Sequence, residues 1–161
     1  MKGITPCLWF DGQAEEAVAF YTSIFPRSRT VAVTHCTEAA AEAAGRPLGS
    51  VLMIVFELDG QRFTALNGGP EFRFNQAISL MVNCENQKEI DRYWRALSEG
   101  GQEVECGWLT DKFGLSWQID PANLGELMPD DDPARVERVM RAVLTMRKLD
   151  IATLERAAEG R

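Results

Sequence analysis

A single histidine, His35, stands in a chain of 161 residues. A metal centre built on imidazole therefore has almost nothing to draw on. The four cysteines, Cys7, Cys36, Cys84 and Cys106, are widely spaced and form no C-x-x-C pair, which argues against a zinc knuckle or a redox dithiol. Cys7 and Cys84 sit in or at the end of apolar strand patterns, so reduced, mostly buried thiols are the simple reading. Cys7 as a nucleophile is the minor alternative, because the one histidine is far away in sequence. Positive charge is also scarce: 17 Lys and Arg against 24 Asp and Glu leave a net charge of -7. That argues against nucleic acid or an anionic membrane as a partner met through a broad basic surface. No apolar run approaches the roughly 20 residues of a bilayer span. Met1-Lys2-Gly3-Ile4 leads straight into a strand pattern without the apolar core of a signal peptide. A cytoplasmic protein is expected. The first strand pattern ends in Asp11-Gly12-Gln13 with no G-x-G, and Gly68-Gly69 follows a hairpin pattern, so neither resembles a cofactor cradle. No cofactor is expected.

What is present is ordinary globular material, 45% hydrophobic and 25% charged. Ile4 to Phe10 reads as a strand, with Pro6 pointing to an edge or a bulge. From Gln13 to Phe25, Ala14, Ala17, Val18, Tyr21 and Phe25 recur at helical spacing until Pro26 stops the run. Arg29 to Cys36 is a second strand. Thr37 to Ala44 is alanine-rich and broken by Gly45-Arg46-Pro47, as a short helix or a loop. Val51 to Leu58, the turn Asp59-Gly60 and Arg62 to Leu66 form a hairpin. Ala77 to Asn83 is a strand, and Asn86 to Leu97 is a helix with Ile90, Tyr93 and Leu97 on one face, closed by Gly100-Gly101.

The stretch from Cys106 to Pro121, CGWLTDKFGLSWQIDP, reads as a last hairpin. Leu115, Trp117 and Ile119 form its apolar back, and Ser116, Gln118 and Asp120 form a polar front. A shift of 72 residues lays Leu8 on Leu80, Phe10 on Val82, Val18 on Ile90, Tyr21 on Tyr93 and Phe25 on Leu97. Matching the hairpins, Phe63 on Trp117, needs a different offset. The pattern is an internal duplication of a strand-helix-strand-strand-strand unit, dividing the chain into 1–70, 71–121 and a helical extension, 122–161. In that extension Asp132-Pro133 starts a helix with Val136, Val139, Met140, Val143 and Leu144 on one stripe. A shorter helix follows Asp150. Arg135, Arg138 and Arg141 read as a solvated face.

FELDGQRFTALNGGP (Phe56 to Pro70), AISLMVNCENQKEIDRYW (Ala77 to Trp94), the Cys106–Pro121 hairpin and MRKLDIATLE (Met146 to Glu155) together resemble the PhnB-like branch of the vicinal oxygen chelate superfamily. This is the glyoxalase, bleomycin-resistance and dioxygenase fold, and its PhnB-like members are often labelled demethylubiquinone methyltransferases. The resemblance implies an α+β fold of two βαβββ modules whose strands curve into cups, and commonly a homodimer. Superfamily enzymes hold a divalent metal on the first and last strand of each module. Matched by strand pattern, those positions fall on Thr5, Thr64, Ala77 and Gln118, with Gln118 where metal enzymes have Glu. Thr and Ala offer little to a transition metal, so no metal is expected.

Alternation assigns Thr5, Cys7 and Trp9 to the cup side of the first strand. It adds Thr64, Leu66, Ala77, Ser79, Met81, Ser116 and Gln118, with Trp108 and Met81 beside Trp9 as stacking surfaces for a flat ligand. Such a lining suits a small molecule held by burial and oriented by a few hydrogen bonds. The alternative is that these side chains fill the cup as a second core. Trp117 and Phe63 belong to the back. His35 reads as a surface or loop residue, Asp111 as a turn-former, and Glu57 and Asp59 as solvated. Three functions follow: a metal-free small-molecule-binding protein, an enzyme of the superfamily with an unnamed substrate, or an antibiotic-sequestering protein. Methyl transfer is disfavoured by the missing glycine-rich turn.

Overall fold

The computed structural model describes residues 3–161. Met1 and Lys2, where the expected run into the first strand begins, lie outside them. The chain divides into two compact units, Met1–Phe74 and Asn75–Arg161.

In the first unit β1 (Cys7–Phe10), α1 (Ala14–Ile24), β2 (Arg29–His35), α2 (Glu38–Ala44), β3 (Val51–Leu58) and β4 (Gln61–Asn67) follow one another. The four strands form one mixed sheet in the order β1-β4-β3-β2. β1 runs parallel to β4, and the other two contacts are antiparallel. Period-two alternation puts Leu8, Phe10, Ile54, Phe56, Leu58, Phe63 and Ala65 on the helix side, where all are buried. α1 meets them with Ala14, Ala17, Val18, Tyr21 and Ile24. Each large apolar side chain so buried stabilises the unit by about 1.5–3 kcal/mol. The ambiguous Thr37–Ala44 segment is a helix. The Thr37 hydroxyl accepts the Ala40 N–H, and Gly45 closes the other end in the left-handed region.

The second unit repeats the plan. β5 (Leu80–Cys84), α3 (Gln87–Ser98), β6 (Gln102–Glu103), β7 (Trp108–Thr110) and β8 (Ser116–Pro121) give a sheet ordered β5-β8-β7-β6, again with its first and last strands parallel. The apolar face of α3 (Ile90, Tyr93, Trp94, Leu97) is buried. The Asn86 side chain accepts the Glu89 N–H at its start. β6 is two residues long and polar, and no hydrophobic alternation announces it. α4 (Leu124–Leu127), α5 (Pro133–Leu144) and α6 (Ile151–Glu159) close this unit around Leu127, Val139, Val143, Leu149 and Leu154.

Several expectations change. Both first strands start late, at Cys7 and Leu80, so Thr5 and Ala77 lie outside the ladders. The 72-residue shift holds for the helices, where Val18/Ile90, Tyr21/Tyr93 and Phe25/Leu97 are all buried. The strands are two residues out of step with it. Leu8 pairs with Ala65, and Val82 with Ile119, so Val82 is the counterpart of Leu8 when the hairpins are aligned. Arg135 and Arg138 are not a solvated face. The Arg135 guanidinium donates to the carbonyls of Leu127 (3.1 Å) and Glu126 (3.3 Å), and that of Arg138 to Ala157 (3.0 Å) and Ala158 (2.8 Å). Each thereby satisfies the end of a neighbouring helix. Arg141 pairs with Glu137 on its own helix at 2.6 Å. Glu57 is likewise engaged, accepting from Arg29 (2.9 Å) and Arg62 (3.1 Å), and these cations hold its carboxyl below the usual range.

Candidate functional site: the open faces of the two sheets

On the open face of the first sheet Cys7 lies opposite Thr64 and Trp9 opposite Leu66. Met53 and Val55 continue the rows beyond Leu66 and Thr64. Neither Met53 nor Val55 was expected in the lining, although alternation carried through β3 places them there. Thr5 is exposed, two residues ahead of the strand. Cys7 is exposed, and partial burial of its sulfur raises the thiol pKa, which works against a thiolate nucleophile.

Trp9 is less free than a stacking platform needs to be. Its indole N–H donates to the Gly69 carbonyl at 2.8 Å. Phe72 meets it edge to face, with ring centroids 4.9 Å apart. Gly68 passes so close that an added Cβ would lie 2.3 Å from the indole ring. The preceding Asn67 is fully buried. Its Oδ1 accepts the Ala14 N–H (2.9 Å), and its Nδ2 donates to Glu15 (2.7 Å) and to the Val51 carbonyl (2.9 Å). Asn67-Gly68-Gly69 therefore seats Trp9 and caps α1, which has no side-chain cap of its own.

The second sheet carries a row of polar groups on the face away from α3. Gln118 of β8 lies between Met81 and Trp108, its partners on either side. Its Nε2 donates to the Ser79 hydroxyl at 2.8 Å. Ser116, opposite Thr110, is fully buried, and its hydroxyl has no hydrogen-bond partner. Met81 is 55% exposed and Trp108 half-buried. Ser79, Met81, Trp108, Ser116 and Gln118 thus share one face, while Ala77 is exposed outside it. With the strand offset corrected, the counterpart of Thr5 is Ser79.

Asp120 continues the same row. It is 5% exposed, and no hydrogen bond or ion pair reaches its carboxyl among the described residues. A Cβ on Gly107 would lie 3.0 Å from its Oδ1 and 3.2 Å from Leu149. Burial pushes its carboxyl up to about 6. Burial, with Glu89 and Asp120 nearby, pushes the Cys84 thiol up to about 12, so it is inert. Asp111 is spent on the turn: Oδ1 accepts the N–H groups of Phe113 (2.8 Å) and Leu115 (3.1 Å), and Oδ2 accepts the Trp117 indole (2.9 Å). Among the described residues no three His, Cys, Asp or Glu side chains converge as a metal site. No helix among them is long and apolar enough to cross a membrane.

Two sheets of identical strand order, each built on a strand-helix-strand-strand-strand plan, define a protein of the glyoxalase-like fold class. Within that class the chain belongs to the 3-demethylubiquinone-9 3-methyltransferase family, PhnB-like, whose model matches residues 2–120. A putative 3-demethylubiquinone-9 3-methyltransferase, PhnB protein, from Bacillus cereus shares 35% identity. The match covers 75% of this chain and all of that one, with a TM-score of 0.67. Protein PA1353 from Pseudomonas aeruginosa has the same fold at 18% identity, over 75% of this chain and 98% of that one (TM-score 0.60). The fosfomycin resistance protein FosX from Listeria monocytogenes has it at 16%, over 78% and 95% (TM-score 0.53). No curated protein matches the chain.

Proposed function

We propose that this protein binds a small, mostly uncharged molecule on the open faces of its sheets, without a catalytic metal at Thr5, Thr64, Ala77 and Gln118. The observation that carries this reading is the Gln118–Ser79 hydrogen bond beside the partnerless Ser116 hydroxyl. With its N–H given to Ser79, the Gln118 amide offers its carbonyl as an acceptor. Ser79 keeps a hydroxyl hydrogen to donate, and a buried hydroxyl without a partner favours a guest that supplies one. Trp108 and Met81 flank these groups with apolar surface. Neutral amides and hydroxyls orient such a ligand but are weak competitors for a divalent cation.

We further read the protein as a cytoplasmic homodimer that engages neither nucleic acid nor membrane, in keeping with its negative charge and four free thiols. Methyl transfer, despite the family name, finds no support in the glycines. The turn after β1 lacks G-x-G, and Gly68-Gly69 is occupied with Trp9. A second reading, an enzyme performing proton transfer, is favoured by Asp120, a carboxyl in the same row as Gln118 that burial pushes up to about 6.

A thermal-shift and calorimetric panel of quinones, aldehyde–thiol adducts and cationic antibiotics tests the binding reading. At least one class is expected to bind, with affinity falling about tenfold in Gln118→Ala. Stoichiometric zinc, nickel or iron in protein purified without chelator overturns the metal-free part. An unchanged affinity in both Gln118→Ala and Ser116→Ala overturns the site.

A further inference from the structure

Arg46 presents a problem that the rest of its module does not solve. It follows the left-handed Gly45 that ends α2, and its backbone N–H donates to the Ala41 carbonyl at 3.0 Å. The side chain folds onto the turn leaving β1. A Cβ on Gly12, whose φ is +80°, would lie 2.8 Å from Nη1 and 3.9 Å from Nη2. Only a residue without a side chain lets the guanidinium lie so close. Its Nε is shielded from solvent and has no acceptor. No carboxylate pairs with it among the described residues, in a chain with 24 Asp and Glu. Arg46 as a whole is half-buried, and a guanidinium whose Nε has neither water nor an acceptor is left with that donor unsatisfied.

We infer that Arg46, lying over the Asp11–Gln13 turn, forms an anion-binding subsite in the first module, with a carboxylate or a phosphate-type oxyanion as its ligand. The guanidinium offers parallel N–H donors matched to two oxygens of such a group. The turn adds the N–H groups of Asp11, Gly12 and Gln13, which have no partner among the described residues. The next N–H, that of Ala14, is already taken by Asn67. Exposed Asp11 is the competitor within the turn, while Glu15 is engaged by the Asn67 amide. The subsite draws on none of the residues that carry the proposed binding face of the second module, so either can fail without the other.

Calorimetric titration of the full chain with inorganic phosphate, and separately with acetate, at ionic strength matched with chloride, tests it. Phosphate is expected to bind, with affinity reduced about tenfold or more in Arg46→Met and partly retained in Arg46→Lys. The Arg46 Nε–H resonance in the native chain is expected to shift along the same titration, a readout that does not depend on any variant folding. Equal titrations of the native chain and Arg46→Met, or an Nε–H resonance that does not move, overturn the subsite. Binding that emerges only in Asp11→Asn overturns it too, since Asp11 is then the arginine's own partner.

Discussion

The two modules share strand order, the parallel pairing of first and last strands, and a helix buried through equivalent residues. They differ in how they use the polar groups of β4 and β8. In the first module Asn67 caps α1 and ties it to β3, and the glycines after it hold Trp9. In the second, Pro121 ends β8, and Ser116, Gln118 and Asp120 share one face, where of the three only Gln118 is partly exposed. A duplicated frame needs its core twice. It needs a cap or a ligand-facing group only where the local chain does not already supply one, and α3 has its own cap in Asn86.

Breaking the structural role of the first module is expected to give the largest effect. Asn67→Ala removes three hydrogen bonds and leaves the Ala14 N–H and Val51 carbonyl without that partner. A loss of about 3 kcal/mol is expected in denaturant unfolding, while the equivalent-end substitution Pro121→Ala is expected to cost less. Gly68→Ala forces a methyl group into the indole and is expected to cost about 2 kcal/mol, with an altered Trp fluorescence spectrum.

The second module is tested by pH. The folded-state pKa of Asp120, about 6, lies above the ordinary carboxylate value. The native state therefore holds its proton to higher pH than the unfolded chain does. Stability contributed by the neutral carboxyl is complete below about pH 4 and is lost as pH rises through about 6. Unfolding measured from pH 4 to 7 is expected to show the native chain losing about 2 kcal/mol relative to Asp120→Asn across that window. A difference that stays flat contradicts a buried, unpaired carboxylate. The smallest effect concerns the helical extension, which only the second module carries. Arg138→Ala is expected to cost about 1 kcal/mol by releasing the α6 carbonyls, and Arg138→Lys to recover part of it.

Periodic burial was readable in the chain. Val18, Tyr21, Ile90 and Tyr93 repeat at helical spacing, and Phe63, Ala65 and Trp117 alternate, because a helix stripe or a strand face is a local pattern. What escaped is set by partners distant in sequence. Arg138 has the same local surroundings whether it faces water or the end of α6, and nothing near Asn67 announces Ala14. Strand starts were misplaced because Thr5 and Ala77 continue the alternation past the point where a neighbour pairs with them. That Ser79, Met81, Trp108, Ser116 and Gln118 share one face was legible through that same alternation. The burial of Ser116 and Asp120 was not, since it depends on what covers the face.

The parallel pairing of each unit's opening strand with its closing strand bears on how the chain is made. Cys7 has no neighbour to bond until Thr64 has left the ribosome, and Leu80 must wait for Trp117. The β2-β3-β4 and β6-β7-β8 runs can pair as they emerge, but the opening strand of each unit must wait for a segment distant in sequence. A nascent chain stopped before β4 or β8 leaves the opening strand of its unit without its partner. Growth by copying the whole unit keeps each opening strand together with the closing strand it pairs with.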